Sequence, residues 1–210
     1  VGKPLISYAI TSALKSKNFQ AVIVSTEDKQ IAKIAKSYGA EVPFIRPKKL
    51  AVDTTPMNDV ILHTIKKLYS IGYDFEILVN RDCTAPFVKN SDVKGSIDLL
   101  RKKNCDAVVA AYKTHLNPYF NMMEFNSKKV LEFSKKIGVE VNGRQTAPTV
   151  FQLTSFQTIN VKRFLKNKKI YTSNVLPFEI SPENGLMIDT KYDFKIAECL
   201  AKTYFKKRSS

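Results

Sequence analysis

The feature that most constrains the fold of this chain is a regular alternation of short β-branched runs with amphipathic segments. AVIVST (21–26), EVPFI (41–45), FEILVN (75–80) and DAVVAAY (106–112) read as strands, the first buried on both faces. Between them lie segments of helical spacing. Residues 7–17 carry apolar positions at that spacing; the next helix sets Ile31, Ile34 and Ala35 on one side and stops at Gly39. Residues 53–70 open with capping residues and Pro56, then place Val60, Ile61, Ile65 and Leu68 on one face before Gly72. Residues 91–104 form a helix capped by Ser91. Strand and helix in strict alternation predict a doubly wound α/β fold with a mostly parallel sheet, wound by right-handed crossovers, helices on both faces. Ligands in such a fold bind beyond the carboxyl ends of the strands.

After Tyr112 the pattern changes. Residues 116–143 read as strand-like pieces joined by an Asn-Ser-Lys turn, an excursion from the main sheet; VFQLTSFQTIN returns to strand, and the last helix bears Phe194, Ile196, Ala197 and Leu200. The 210 residues, 44% of them hydrophobic, make one domain spanning 1–210. No apolar run approaches the roughly 20 residues that cross a bilayer, so no membrane partner is expected. Three widely spaced cysteines, Cys83, Cys105 and Cys199, suggest a reduced, cytoplasmic protein with no disulfide framework. The net charge of +15 comes from scattered lysines, densest in KNKK at 166–169, without the basic stripe interleaved with aromatics that nucleic acid would require.

Several chemistries find no support. His63 and His115 pair with no cysteine or serine in a recognisable pattern, the cysteines and histidines match no zinc spacing, and neither GxGxxG nor GxxxxGK[ST] occurs. One strand ends unusually: LVNRDCTAP finishes an apolar run with Arg81, Asp82 and Thr84 before a proline. Asp82 is there either a turn residue or part of a site. An open sheet would gather Arg46, Asp53, Asp82, Thr84, Arg144, Gln145 and Asp189 at one edge, although Asp189 or Thr190 also suits the N-cap of the last helix. Two carboxylates from different strand ends, with arginines nearby, suit a hard cation that binds phosphate oxygens.

The linear order GKPLISYAI, VIVSTEDKQIAKIAKSYGAEVPFIRPKKLAVDTT, TAPF, RQTAP and IDTKYDFKIAE resembles the acylneuraminate cytidylyltransferases, the CMP-sialic acid synthetase family, over nearly the whole chain. The resemblance implies a nucleotide-diphospho-sugar transferase fold. It also implies transfer of CMP from CTP to the anomeric hydroxyl of an acidic nine-carbon sugar of sialic, legionaminic or pseudaminic type, with pyrophosphate released and Mg²⁺ required. By motif match Lys3, Arg46, Asp53 and Thr84 fall to the nucleotide, and Arg144, Gln145 and Thr154 to the sugar acid, Arg144 suiting its carboxylate. Asp82, Asp189 and Arg144 are the implied catalytic set, Asp82 and Asp189 the metal ligands. A homodimer, with the excursion at 116–143 as its contact, follows from the same resemblance.

Three departures from the family pattern bear on this. Met187 stands where many members carry the first aspartate of Asp-x-Asp, and the strand tip reads Asp82, Cys83, Thr84, Ala85, Pro86 instead of Gln-Pro-Thr-Ser-Pro. The two changes are linked if Asp82 supplies from across the cleft the carboxylate lost at Met187, as in the similar ketodeoxyoctonate-activating branch. The family's first strand and its phosphate-wrapping loop precede the GKPLI element and are expected upstream of Val1. A ketodeoxy sugar acid as substrate, and a non-catalytic nucleotide-binding module, are the alternative readings.

Overall fold

The computed structural model describes residues 2–139, 141 and 143–206; residues 140 and 142 of the expected excursion lie outside them. In chain order the elements are α1 (Leu5–Ser16), α2 (Lys29–Ser37), a 3-10 turn (Lys48–Leu50), α3 (Met57–Ser70), β1 (Ile77–Arg81), α4 (Asn90–Lys103), β2 (Ala107–Lys113), β3 (Met123–Phe125), β4 (Leu131–Phe133), β5 (Phe151–Asn160), α5 (Val161–Asn167), β6 (Val175–Glu179) and α6 (Lys191–Lys206).

The central sheet has the order β1-β5-β2-β6. Strands β1, β2 and β6 point the same way, but β5 lies between β1 and β2 and runs antiparallel to both. Three of the four strands thus share one direction, as expected of a mostly parallel sheet; β5 is the exception, and the reason is topological. β2 leaves the sheet at its carboxyl end, the chain makes its excursion, and Thr114 N donates to Val150 O as the chain re-enters. With no crossover helix to carry it back, the returning strand must run in reverse.

Helix α4 covers one face of this sheet, where Val93 and the half-buried Ile97 pack on Val79, Ala110 and Phe156. On the other face Ile61 and Ile65 of α3 and Phe164 of α5 pack on Val109 and Ile159. Phe156, Ile65 and Ile159 are at most 1% exposed, and each such side chain contributes about 1.5–3 kcal/mol of transfer free energy. Side chains alternate along β1 as the two faces demand: Ile77 and Val79 meet the α4 side, Leu78 the α3 side.

Residues 21–26 and 41–45 form a single parallel bridge, Ile23 to Glu41, rather than full strands. Val24 N donates to Glu41 O, Glu41 N to Val22 O and Arg46 N to Thr26 O. Among the described residues neither segment pairs with a strand of the central sheet. Helix α2 stops as expected at Gly39, which at φ 93° lies in the left-handed region, and it is capped at its start by Asp28, which accepts from Gln30 N and Ile31 N. Its buried face is Ala32 and Ala35, with Ile31 turned to solvent. Ser91 is not a cap. Helix α4 begins one residue earlier, and the Asn90 carboxamide accepts from the Ser12 hydroxyl, tying α4 to α1.

The excursion is a small hairpin, β3 paired with β4, in a sheet of its own. Its root is the buried Asn117, whose side chain donates to Pro148 O and accepts from Tyr119 N. Its outer surface is apolar: Phe125, Val130 and Leu131 are each more than half exposed.

Candidate active site

β1 ends where its last residue pairs with Phe156, and the chain then turns through Asp82, Cys83 and Thr84. Asp82 N donates to Ser155 O at 2.9 Å and Asp82 O accepts from Ala85 N, so the aspartate is both a turn residue and a fixed one. Its carboxyl is pushed above the ordinary aspartate range, first by burial and then by the Asp189 carboxylate. That second cause puts Asp82 and Asp189 in one electrostatic neighbourhood. The two segments are also joined directly, Ile188 N donating to Thr84 O at 3.0 Å.

Asp189 is not the cap of α6. Thr190 and Asp193 form a reciprocal capping box, with Thr190 N and its hydroxyl donating to Asp193 Oδ2 and Asp193 N donating to Thr190 Oγ1. The exposed Asp189 carboxylate takes no part in that box. Met187 packs as an apolar residue against the cluster around Ala85, Val93 and Phe156. Among the described residues no third carboxylate, histidine or cysteine joins the pair into a larger cation-binding cluster. Two hard oxygen donors on separate segments, mutually repelling, fit a Mg²⁺ ion, which uses one or two protein carboxylates and takes its other ligands from water and phosphate. Asp82 and Asp189 would hold it.

Of three further groups, Arg81 is marked in the sequence as part of the strand's ending but with no role of its own, and Tyr171 and Ser155 escape notice there. Arg81 is largely buried, its Nε and Nη2 have no partner, and burial lowers its pKa to about 10, which leaves it charged at neutral pH. Tyr171, half exposed in the loop between α5 and β6, has its phenol raised by burial and then by the Asp82 carboxylate. An aromatic in the lysine-rich loop was the available signal. Ser155 is buried at φ 48° with its hydroxyl unpartnered.

The remaining predicted residues are spread more widely. Thr84 is half-buried and contributes its carbonyl to Ile188. Thr154 is 4% exposed and its hydroxyl donates to Gly185 O, so it supports the site from behind. Arg46 lies on the neighbouring edge, where its Nη2 meets Glu27 Oε2 at 2.6 Å and its Nε is buried without a partner. That contact, before all else, holds the Glu27 carboxyl below its usual range. His63 stacks edge-on to Phe44, and its pKa is lowered by burial and then by the charges of Lys67, Arg46 and Lys49. Asp53 is exposed in the turn before α3, and Lys3 is exposed just before α1. Arg144 and Gln145 are exposed on a turn whose Thr146 and Ala147 amides donate to Gly143 O; no contact joins them to Asp82.

Comparison with known proteins gives the family. The family model described as cytidylyltransferase matches residues 1–206. CMP-N,N'-diacetyllegionaminic acid synthase of Campylobacter jejuni is 31% identical over 93% of this chain and 83% of its own length. Post-translational flagellin modification protein B of Campylobacter coli is 30% identical over 94% of this chain and 84% of its own. Among solved structures, CMP:2-keto-3-deoxy-manno-octonic acid synthetase in complex with CTP superposes with a TM-score of 0.71 at 15% identity, over 97% of this chain and 90% of that one, a likeness of fold. With the family model covering nearly its whole length, the chain belongs to the cytidylyltransferase family and is a nucleotidyltransferase.

Proposed function

We propose that this protein transfers CMP from CTP to the anomeric hydroxyl of a nonulosonic acid of the legionaminic, pseudaminic or sialic type. The acceptor oxygen forms a bond to the α-phosphorus, the bond from that phosphorus to the β-bridging oxygen breaks, pyrophosphate leaves, and the hydroxyl proton is released. The observation that carries the reading is the pair Asp82 and Asp189, two repelling carboxylates at a strand tip in a cytidylyltransferase frame. A divalent cation held by these carboxylates would supply neutralisation of the triphosphate oxygens and of the leaving group. Asp82 and Asp189 supply its hard ligands, and the unpartnered nitrogens of Arg81 are donors suited to an anionic oxygen. Arg46, Asp53, Lys3 and Thr84 are assigned to the nucleotide side.

The acidic sugar is supported by the legionaminic acid synthase among the relatives and by Arg144 with Gln145, whose exposed turn offers a bidentate cation and an amide to a carboxylate. The exposed apolar hairpin β3–β4 supports a homodimer formed through it. None of the described helices is long and apolar enough to cross a membrane, and Cys83 and Cys105 form no disulfide, in keeping with action in the cytoplasm.

The test is a phosphorus NMR assay of the full-length protein with CTP, Mg²⁺ and a panel of legionaminic, pseudaminic, sialic and ketodeoxy acids. A new phosphodiester signal with matching pyrophosphate is expected for one nonulosonic acid. Reaction with a ketodeoxy acid alone would reassign the substrate, and CTP binding without turnover on any acid would favour the non-catalytic reading.

A further inference from the structure

We infer that the bulge in β5 is the positioning device of the carboxylate pair, with Thr154 and Ser155 as its two struts; this rests on the metal-site reading proposed above. β5 is the strand that pairs with both β1 and β2, and its register breaks at the level of the site. Val109 faces Gln157 and Ala111 faces Leu153, so two residues of β2 are matched by four of β5. Within the break Ser155 adopts φ 48°, a conformation that non-glycine residues avoid. It is fully buried, and its hydroxyl has no partner that would reward the strain. Strain of this kind persists only where the surroundings over-determine it, and bulges beside active sites commonly re-aim a group.

What the bulge re-aims is visible in its contacts. The Ser155 carbonyl accepts from Asp82 N at 2.9 Å, and the Thr154 hydroxyl donates to Gly185 O. Two consecutive residues thus grip two different segments, one bearing Asp82 and the other leading to Asp189. The second grip is close: a Cβ on Gly185 would stand 2.9 Å from Thr154 Cγ2 and 3.0 Å from Tyr112 Cδ1. The bond from Ile188 N to Thr84 O closes the ring. Asp82 is therefore tied to this buried strand by a backbone bond, and the segment leading to Asp189 by the Thr154 hydroxyl and by the bond from Ile188 to the turn after Asp82, so the bulge sets how the two segments approach. Thr154 and Ser155 are positioning residues that need not touch substrate.

Amide hydrogen exchange reports this geometry without turnover. Thr154→Val removes one strut in near-constant volume, and exchange at the Ile188 amide is expected to quicken about fivefold, the worth of one hydrogen bond. Thr154→Ser should restore protection. Gly185→Ala should quicken it by about tenfold or more through overpacking. At the other strut Ser155→Gly, which accepts positive φ, should keep the Asp82 amide protected, while Ser155→Val should not. Mn²⁺ affinity, read by electron paramagnetic resonance, should fall in step with lost protection. Ile188 exchange unchanged in both Thr154→Val and Gly185→Ala would overturn the inference. So would lost protection with Mn²⁺ affinity intact, provided Asp82→Asn abolishes Mn²⁺ binding. If Asp82→Asn binds Mn²⁺ normally, the metal-site reading fails separately, and the exchange results alone decide whether the bulge holds the pair.

Discussion

Asp82 and Asp106 sit at opposite ends of the same sheet and live in opposite electrostatic worlds. Asp106, just before β2, is surrounded by donors: Arg163 Nη1 at 2.8 Å, Thr172 Oγ1 at 2.9 Å, Asn167 Nδ2 at 3.0 Å and Asn174 Nδ2 at 3.3 Å. Burial alone would raise its pKa; the bonds from Arg163, Thr172 and Asn174 outweigh it and hold the carboxyl below its usual range. Asp82 has burial and a second carboxylate, and its pKa rises. Both are partly buried acids at strand ends, and burial pushes both upward. The difference is whether the fold itself satisfies the charge. Asp106 staples α5 and the following loop to the sheet, whereas the pair at the other end is left for something outside the chain to neutralise.

That contrast can be broken by substitution. Asp82→Asn or Asp189→Asn should lower pyrophosphate release on the order of a hundredfold or more, with little change in thermal stability, since a cation ligand is worth several kcal/mol in the transition state. Asp106→Ala should do the reverse. Leaving Arg163 and its neighbours unpaired should cost roughly 2–4 kcal/mol in urea unfolding, while turnover per folded molecule holds.

Arg81→Met sharpens the comparison from the cationic side. Removing a buried guanidinium with two unpartnered nitrogens should stabilise the free chain by about 1–3 kcal/mol and weaken CTP binding measured by calorimetry. A smaller effect is expected in pH dependence. Because the fold raises the pKa of Asp82, that group stabilises the metal-free chain fully only below the ordinary aspartate range, and the contribution is lost as pH climbs through the raised value. Asp189→Asn removes one of the two causes, so the decline in melting temperature as pH rises above the ordinary aspartate range should be shallower than in the parent.

Much of this arrangement was legible in the residues, and the gaps have physical causes. β1, β2 and the face of α3 follow from periodicity and the Gly39 end of α2 from local chemistry, whereas the α2 face is rotated from the expected one, burying Ala32 and Ala35 and exposing Ile31. The direction of β5 does not, because periodicity carries no sense of travel. β6 was hidden by Pro177, which argues against a central strand but is accommodated here on the sheet's edge. The Ser91 cap lost to a tertiary contact between Asn90 and Ser12. At the site, Asp82 and Asp189 could be proposed from strand ends and family resemblance, but Tyr171 and Ser155 gain meaning only when distant segments meet.

The most direct test of the account is a Mn²⁺ titration in the presence of CTP, followed by electron paramagnetic resonance, on the parent protein beside Asp82→Asn, Asp189→Asn and Asp106→Asn. The account predicts that both rim variants lose tight binding while Asp106→Asn binds as the parent does. Parent-like binding in Asp82→Asn would contradict it.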